Sequence, residues 1–289
     1  MEMFHLSPSP LQKLDLPLLE KHQVELYVKR DDLLHPLISG NKWRKLKYNV
    51  LELKHLGKAG IVTFGGAFSN HLHAVAAAGK EFHFKTIGIV RGERAEALSK
   101  TLVECEEMGM VLHFVTRLAY REKESAPKVR LILAQYPDCL LIPEGGANEQ
   151  ARRGCAEIMG EIDIPFDYFC TACGTGTTLA GLVSANGKGV TLLGFPVLKG
   201  MLNYPSIPSD KYQLIPHYHF GGYANHTPEL LQFIRDFERD TSIPLDQVYT
   251  GKLMFGVLDL IGKGFFPKGS RIVALHTGGL QGRLPELDA

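Results

Sequence analysis

Short apolar runs alternate with longer segments of helical spacing along most of this 289-residue chain. Val24–Val28, Gly60–Phe64, Thr86–Val90, Val111–Val115, Leu140–Pro143, Tyr168–Cys173, Val190–Pro196 and Arg271–His276 read as strands, because each is a compact apolar stretch bounded by turn residues. Between them, Asn70–Lys80, Ala95–Met108, Ala151–Ile162 and Thr177–Ala185 carry helix-forming residues, with Ala74, Ala76, Ala77 and Ala78 filling the first. Strand and helix in alternation predict an α/β fold of mostly parallel sheet with helices on both faces. Such sheets bind ligands beyond the carboxyl ends of their strands. The glycine-rich segments at 65–66, 145–146, 174–176 and 278–279 all follow predicted strands, which points to one shared cleft.

The chemistry-bearing residues lie in four distant segments. Lys42 sits in Gly40-Asn41-Lys42-Trp43-Arg44-Lys45. Gly40 allows close backbone approach, and Asn41 is suited either to cap a helix or to hold a cofactor oxygen. Lys45 and Lys47 are expected to face solvent. Gly174-Thr175-Gly176-Thr177-Thr178 joins a strand to a helix. Its free amides, its hydroxyls and the helix start suit a phosphate monoester. It lacks the Gly-Lys-Ser/Thr of a nucleotide P-loop, and Leu179 stands where a dinucleotide fingerprint needs its third glycine. Ser69-Asn70-His71 opens a helix after Gly65-Gly66; Ser69 or Asn70 is the N-cap, and amides at such a start also bind a carboxylate. Tyr249-Thr250-Gly251-Lys252 adds a phenol and a neutral hydroxyl. A reactive lysine, a phosphate cradle and a carboxylate site together fit pyridoxal phosphate and an amino-acid substrate.

Other signals point elsewhere. No metal site is expected: His71 and His73 stand at i, i+2 on a helix and do not face each other, and His217 and His219, expected on one face of a strand, lack a flanking carboxylate or cysteine. Cys170 and Cys173 end an apolar strand and read as small buried hydrophobes. The formal net charge of +1 gives no field for nucleic acid or an anionic membrane, and no apolar run reaches the length of a membrane helix. Five cysteines without a framework and an N-terminus (Met1 to His5) without a secretory pattern lead us to expect a cytoplasmic protein. Asn225-His226-Thr227 is then an inert sequon.

Gly-Asn-Lys with Arg-Lys-Leu, Ser-Asn-His after Gly-Gly, Thr-Gly-Thr-Thr-x-Ala-Gly and Tyr-Thr-Gly-Lys resemble the pyridoxal-phosphate-dependent family of 1-aminocyclopropane-1-carboxylate (ACC) deaminase and D-cysteine desulfhydrase, over residues 6–282. The resemblance implies a tryptophan synthase β-like fold of two open, twisted, mostly parallel α/β domains. The smaller, 55–148, would be inserted in the larger, 1–54 with 149–289. It implies a Schiff base at Lys42, cofactor contacts from Asn70, Thr175, Gly176, Thr177, Thr178 and Thr250, and substrate carboxylate contacts from Ser69, Asn70 and His71. Tyr249 and Tyr223 would be active-site phenols, with Lys42 or Tyr249 as base, and the protein would be a homodimer.

His71 and Thr250 resemble the desulfhydrase side, since ACC deaminases resemble Ser-Asn-Gln and Tyr-Glu-Gly at these places. A neutral hydroxyl at the ring nitrogen makes a shallower electron sink than a carboxylate, which suffices for β-elimination. The expected reaction is β-elimination from D-cysteine to pyruvate, sulfide and ammonia. Alternatives are ACC deamination, β-replacement on the same scaffold, a non-catalytic pyridoxal-phosphate or amino-acid carrier, and a nucleotide-binding protein. Phe68 and His73 stand where the family commonly has Gln and Arg, and are expected to alter the substrate pocket.

Overall fold

The computed structural model describes residues 8–38, 40–187 and 189–288; residues 1–5, read above for a secretory signal, lie outside them. In chain order the elements are β1 (Leu11–Lys13), α1 (Pro17–His22), β2 (Glu25–Arg30), α2 (Asn41–His55), β3 (Gly60–Gly65), α3 (Asn70–Phe82), β4 (Lys85–Arg91), α4 (Lys100–Glu107), β5 (Val111–Val115) and α5 (Arg117–Glu122). There follow α6 (Pro127–Ala134), β6 (Cys139–Ile142), α7 (Glu149–Gly160), β7 (Tyr168–Cys173), α8 (Thr177–Ala185), β8 (Thr191–Pro196), β9 (Gln213–Leu214), α9 (Pro228–Thr241), α10 (Thr250–Gly262) and β10 (Arg271–His276). The chain forms two compact units: Met1–Asn41 with Arg152–Ala289, and the continuous stretch Lys42–Ala151.

The larger unit holds a six-stranded sheet in the order β1-β2-β10-β7-β8-β9, parallel except for β1 against β2. Its strands are apolar on both faces, as parallel strands covered by helices must be. Residues alternate between two cores with the period of a strand. Ile272, Ala274, Cys170, Ala172, Leu193 and Phe195 enter one core with the helix residues Leu253, Met254 and Val257. Val273, Leu275, Phe169, Cys173 and Leu192 enter the other with Cys155, Ile158 and Leu182. Cys170 and Cys173 are buried thiols outside any disulfide.

The smaller unit holds a four-stranded parallel sheet in the order β5-β4-β3-β6. Val62, Phe64, Ile87 and Ile89 face a core completed by Tyr120, Val129 and Ile132. On the opposite side α3 is buried from His71 through Gly79, which explains its alanine run: small side chains let the helix lie close to the sheet. The expected domain boundaries near 54 and 149 compare with divisions after residues 41 and 151. α2 groups with the smaller unit because Trp43 lies 6.1 Å from Phe82, ring centre to ring centre, and Asn49 exchanges side-chain hydrogen bonds with Asn148 at 2.7 and 3.3 Å.

Both sheets and the predicted strands are present, with differences at the ends. The helix expected from Ala95 begins at Lys100, because Ser99 caps it through the Leu102 amide (3.3 Å). His217 lies in a 3-10 turn, Pro216–Tyr218, and not on a strand, so it and His219 share no strand face. The strands β1 and β9 are too short to leave a periodic signal. Among the described residues no helix is long and apolar enough to cross a membrane.

Phe64 is almost wholly buried and packs edge-on to Tyr120. Phe64→Ala is expected to lower stability by about 3–5 kcal/mol through a cavity the parallel sheet cannot close. Urea denaturation measures this, and a loss below about 1 kcal/mol would contradict the packing described.

Candidate functional site

In the larger unit the phosphate-suited loop leaves β7 at its carboxyl end and becomes α8. Gly176 is the N-cap residue at φ +80°, and no side chain caps the helix, so the first amides of α8 are left for a ligand. A Cβ at Gly176 would lie 2.5 Å from the Tyr204 ring, so only glycine fits there. The Tyr204 hydroxyl donates to the Gly174 carbonyl (3.1 Å) and fixes the loop from below. Thr175 and Thr177 hydroxyls are 3.0 Å apart, and Thr178 Oγ1 accepts from Asn41 Nδ2 at 2.9 Å. Asn41 therefore bonds a hydroxyl of this loop, and the next residue in the chain is Lys42. The approach to Asn41 is equally fixed: a Cβ on Gly40 would sit 1.9 Å from the Thr277 carbonyl oxygen.

Tyr249 stands beside the same loop, its hydroxyl 3.3 Å from where a Gly174 Cβ would be. Tyr223 and Tyr249 pack edge to face at 6.1 Å. Burial, then the neighbouring Tyr223, holds the Tyr249 phenol well above its ordinary range, so it is neutral at physiological pH. Lys252 holds the turn that carries Tyr223, donating to the carbonyls of His219 (2.9 Å) and Gly222 (2.8 Å); burial lowers its pKa to about 8.

Thr250 begins α10, and its hydroxyl is not isolated. It donates to Asp246 Oδ1 (2.6 Å) and accepts from the Asp246 amide (2.8 Å). The same buried carboxylate accepts the amides of Val248, Tyr249 and Thr250 at 2.7–2.9 Å. The Thr250 oxygen therefore has a lone pair backed by a carboxylate to offer, and its hydrogen is already placed.

In the smaller unit the residues of the predicted carboxylate site form the start of α3. Ser69 is the N-cap, accepting from the Leu72 amide at 3.2 Å, and Asn70 is the first helical residue. His71 turns inward. Thr63 Oγ1 donates to the Ile142 carbonyl (2.8 Å), so it accepts from His71 Nε2–H (2.9 Å). That leaves His71 Nδ1 as a buried acceptor with no partner. Burial first, and then the charges of Lys42 and Lys45, push its pKa well below the usual histidine value. A neutral ring with its one N–H engaged has no donor for a carboxylate, so any anion contact at His71 comes from its main chain.

The structure also places three neighbours, the first of them against expectation. Lys45 is buried, not solvent-facing, with its ammonium 3.3 Å from the Gly145 carbonyl; Asn41, Lys45 and Asn49, four residues apart, make the inward face of α2. His73 pairs with Glu104 on α4 at 3.1 Å and serves the α3–α4 packing. Phe68 is exposed, at 67%. Thus the larger unit brings together Thr175, Gly176, Thr177, Thr178, Tyr223, Tyr249 and Thr250, and the smaller unit Lys42, Ser69, Asn70 and His71. Sequence reading missed Tyr204 and Asp246. Asp246 had a local signal, an acidic residue shortly before a helix start; Tyr204 had none.

The chain matches the family model described as "Pyridoxal-phosphate dependent enzyme" over residues 3–278. It is 29% identical to a bifunctional D-cysteine desulfhydrase/1-aminocyclopropane-1-carboxylate deaminase, mitochondrial, of Arabidopsis thaliana, over 97% of this chain and 78% of that protein. It is 28% identical to a putative 1-aminocyclopropane-1-carboxylate deaminase of Pyrococcus horikoshii, over 89% of this chain and 85% of that protein. The crystal structure of an ACC deaminase homologue superposes with a TM-score of 0.82 at 29% identity, covering 96% of this chain and 91% of that one.

The buried neutral His71 makes stability depend on pH. Its folded-state pKa is depressed, so below about pH 6.5 the unfolded chain takes up a proton that the folded chain refuses. Stability is therefore expected to fall as pH drops from about 6.5 toward the depressed value, with a slope of up to about 1.4 kcal/mol per pH unit for this one group. His73, also depressed, adds to the trend. Thermal melts from pH 8 to 5 on wild type and His71→Gln measure it, and an unchanged slope in the variant would remove His71 as the cause.

Proposed function

The chain belongs to the pyridoxal-phosphate-dependent enzyme family, among relatives named for ACC deaminase and D-cysteine desulfhydrase activity, and from that footing we propose that it eliminates the β-substituent of a small amino acid, D-cysteine first. Its cofactor is pyridoxal phosphate, and the residues present fit it. The uncapped start of α8 and the hydroxyls of Thr175, Thr177 and Thr178 suit the phosphate. The unpartnered Nδ1 of His71 is a buried acceptor awaiting a donor. When bound, the cofactor supplies an electrophilic carbonyl and a ring that draws electrons from the substrate α-carbon.

The observation that carries the reading is the shared setting of the α8 start with two phenols, Tyr249 held neutral by burial and Tyr223 packed against it, next in sequence terms to a lysine whose preceding residue, Asn41, bonds Thr178. Lys42 holds the cofactor at rest and, once displaced by the substrate amine, takes the proton from the α-carbon. Tyr249 is too strongly held in its neutral form to be the better base; it shuttles a proton at its hydroxyl, with Tyr223 orienting it. Ser69 and the amides of Asn70 and His71 bind the substrate carboxylate, and Asn70 also orients the cofactor ring. Thiolate leaves the β-carbon, and water completes the conversion of D-cysteine to pyruvate, ammonia and sulfide.

Thr250 is the group we place against the ring nitrogen. A neutral residue there favours elimination, for which a moderate electron sink is enough. Its bond to Asp246 supports a second reading, ACC deamination to 2-oxobutanoate and ammonia, because a carboxylate-backed oxygen can accept a ring N–H and deepen the sink.

Lys42→Ala is expected to abolish turnover and the cofactor's visible absorbance; substantial remaining activity would exclude the assigned role. Tyr249→Phe should slow turnover by roughly 10²–10⁴-fold with cofactor retained, and unchanged kinetics would take Tyr249 out of the mechanism. Parallel assays on D-cysteine, L-cysteine, D-serine and ACC decide the substrate: sulfide and pyruvate from D-cysteine alone uphold elimination, and 2-oxobutanoate from ACC transfers the reading to ring opening.

A further inference from the structure

The carboxyl ends of β3, β4, β5 and β6 in the smaller unit open on a cleft of about 1060 Å³. Clefts of roughly 300–1,000 Å³ take drug-sized ligands, so this one is far larger than D-cysteine or ACC would fill. Ala67 and Phe68 form part of its wall, and the next residue, Ser69, caps α3 where the substrate carboxylate is placed above. The loop is held from outside as well, because the Ser99 hydroxyl donates to the Ala67 carbonyl.

The wall is cationic. Lys123 is committed, paired with Glu144 at 2.8 Å and lying 3.4 Å from the centre of the Tyr120 ring. Arg91, Arg117 and Arg121 line the same cleft and have no acidic partner among the described residues, which leaves three guanidiniums facing the single further carboxylate of Glu93. Arg91 ends β4, stacks toward Tyr120 at 5.8 Å, and places its Nη2 3.5 Å from where a Cβ on Gly66 would be. It therefore lies against the loop that leads to Ser69.

Local stability does not account for the placing of Arg117, whereas Arg121 stands in the last turn of α5, where a cation is favoured. Arg117 is the first residue of α5, the positive end of the helix dipole, where a cation is disfavoured. Arg121 follows it by four residues, and like charges at that spacing repel. An anion held between them would reverse both costs, and guanidinium forks match carboxylate, sulfonate and phosphate groups.

We propose that this cleft admits an amino acid whose side chain ends in an anionic group, held by Arg91, Arg117 and Arg121 while the α-carboxylate rests at the start of α3. This assignment rests on the amino-acid reading of the site and narrows its substrate class.

The test uses cofactor-loaded enzyme and the double variant Arg117→Ala, Arg121→Ala, both positions exposed. Aspartate, cysteate and O-phosphoserine, each in both enantiomers, are compared with D-cysteine and ACC by the shift in cofactor absorbance and by KM. Calorimetry of succinate, sulfoacetate and phosphoglycolate against propanoate supplies a readout independent of turnover. Acidic amino acids and the dianions are expected to bind at least about tenfold more tightly than their neutral counterparts. The double variant should lose that preference while KM for D-cysteine or ACC moves less than about twofold. The strongest of the three acidic groups identifies the side-chain anion. Equal binding of neutral and dianionic ligands, or a preference that survives the double variant, overturns the proposal. Turnover of D-cysteine with no binding of acidic amino acids sinks this inference alone; no spectral response to any amino acid sinks the amino-acid reading with it.

Discussion

A parallel sheet sends every one of its carboxyl ends to the same edge, and in each unit of this chain the loops leaving that edge are the ones rich in glycine, serine, threonine and asparagine. Parallel pairing requires helical crossovers, and each crossover helix begins next to that edge with its amides unpaired. Helix starts suited to an anion are thus a by-product of the topology. The α8 start in the larger unit and the α3 start in the smaller one arise in this way. They differ in how the helix end is treated: Gly176 leaves α8 uncapped, whereas Ser69 caps α3.

Within this architecture a buried layer orients the groups proposed above to react. Tyr204 braces the Gly174–Gly176 turn, Asp246 gathers the start of α10, and Lys252 holds the turn that carries Tyr223. None of these needs to touch a ligand. Each removes freedom from a group proposed to do so, and pre-ordered groups add little reorganisation cost when charge develops in a reaction. Asp246 also changes the electronic argument at Thr250, because a threonine whose hydrogen is given to a carboxylate is an acceptor, where an isolated threonine could do either.

Much of the fold was legible in the sequence, and so were the turns and helix starts on which the candidate site is placed. Tyr168–Cys173, Thr177–Ala185, Val111–Val115 and Arg271–His276 fall where their apolar periodicity puts them. The start of α4 was not legible, since Ala95 to Ala97 look helical until Ser99 is seen to cap. Lys45 was misread because a basic stretch looks solvated until the carbonyl of Gly145, a hundred residues away, is brought to it. The partner of His73, Glu104, was not legible for the same reason: it is on another helix.

The sequence by itself determined the α/β class, the parallel sheets, the glycine and threonine turns and the family, because these follow from periodicity and from residue types within a few positions of one another. Only the tertiary structure decided which way the polar side chains turn. His71 faces Thr63 with an unpartnered Nδ1, Thr250 gives its hydrogen to Asp246, and Arg91, Arg117 and Arg121 come from one strand end and one helix to one cleft. Burial, protonation and hydrogen-bond direction depend on neighbours that are distant in the chain, and folding is what makes them neighbours.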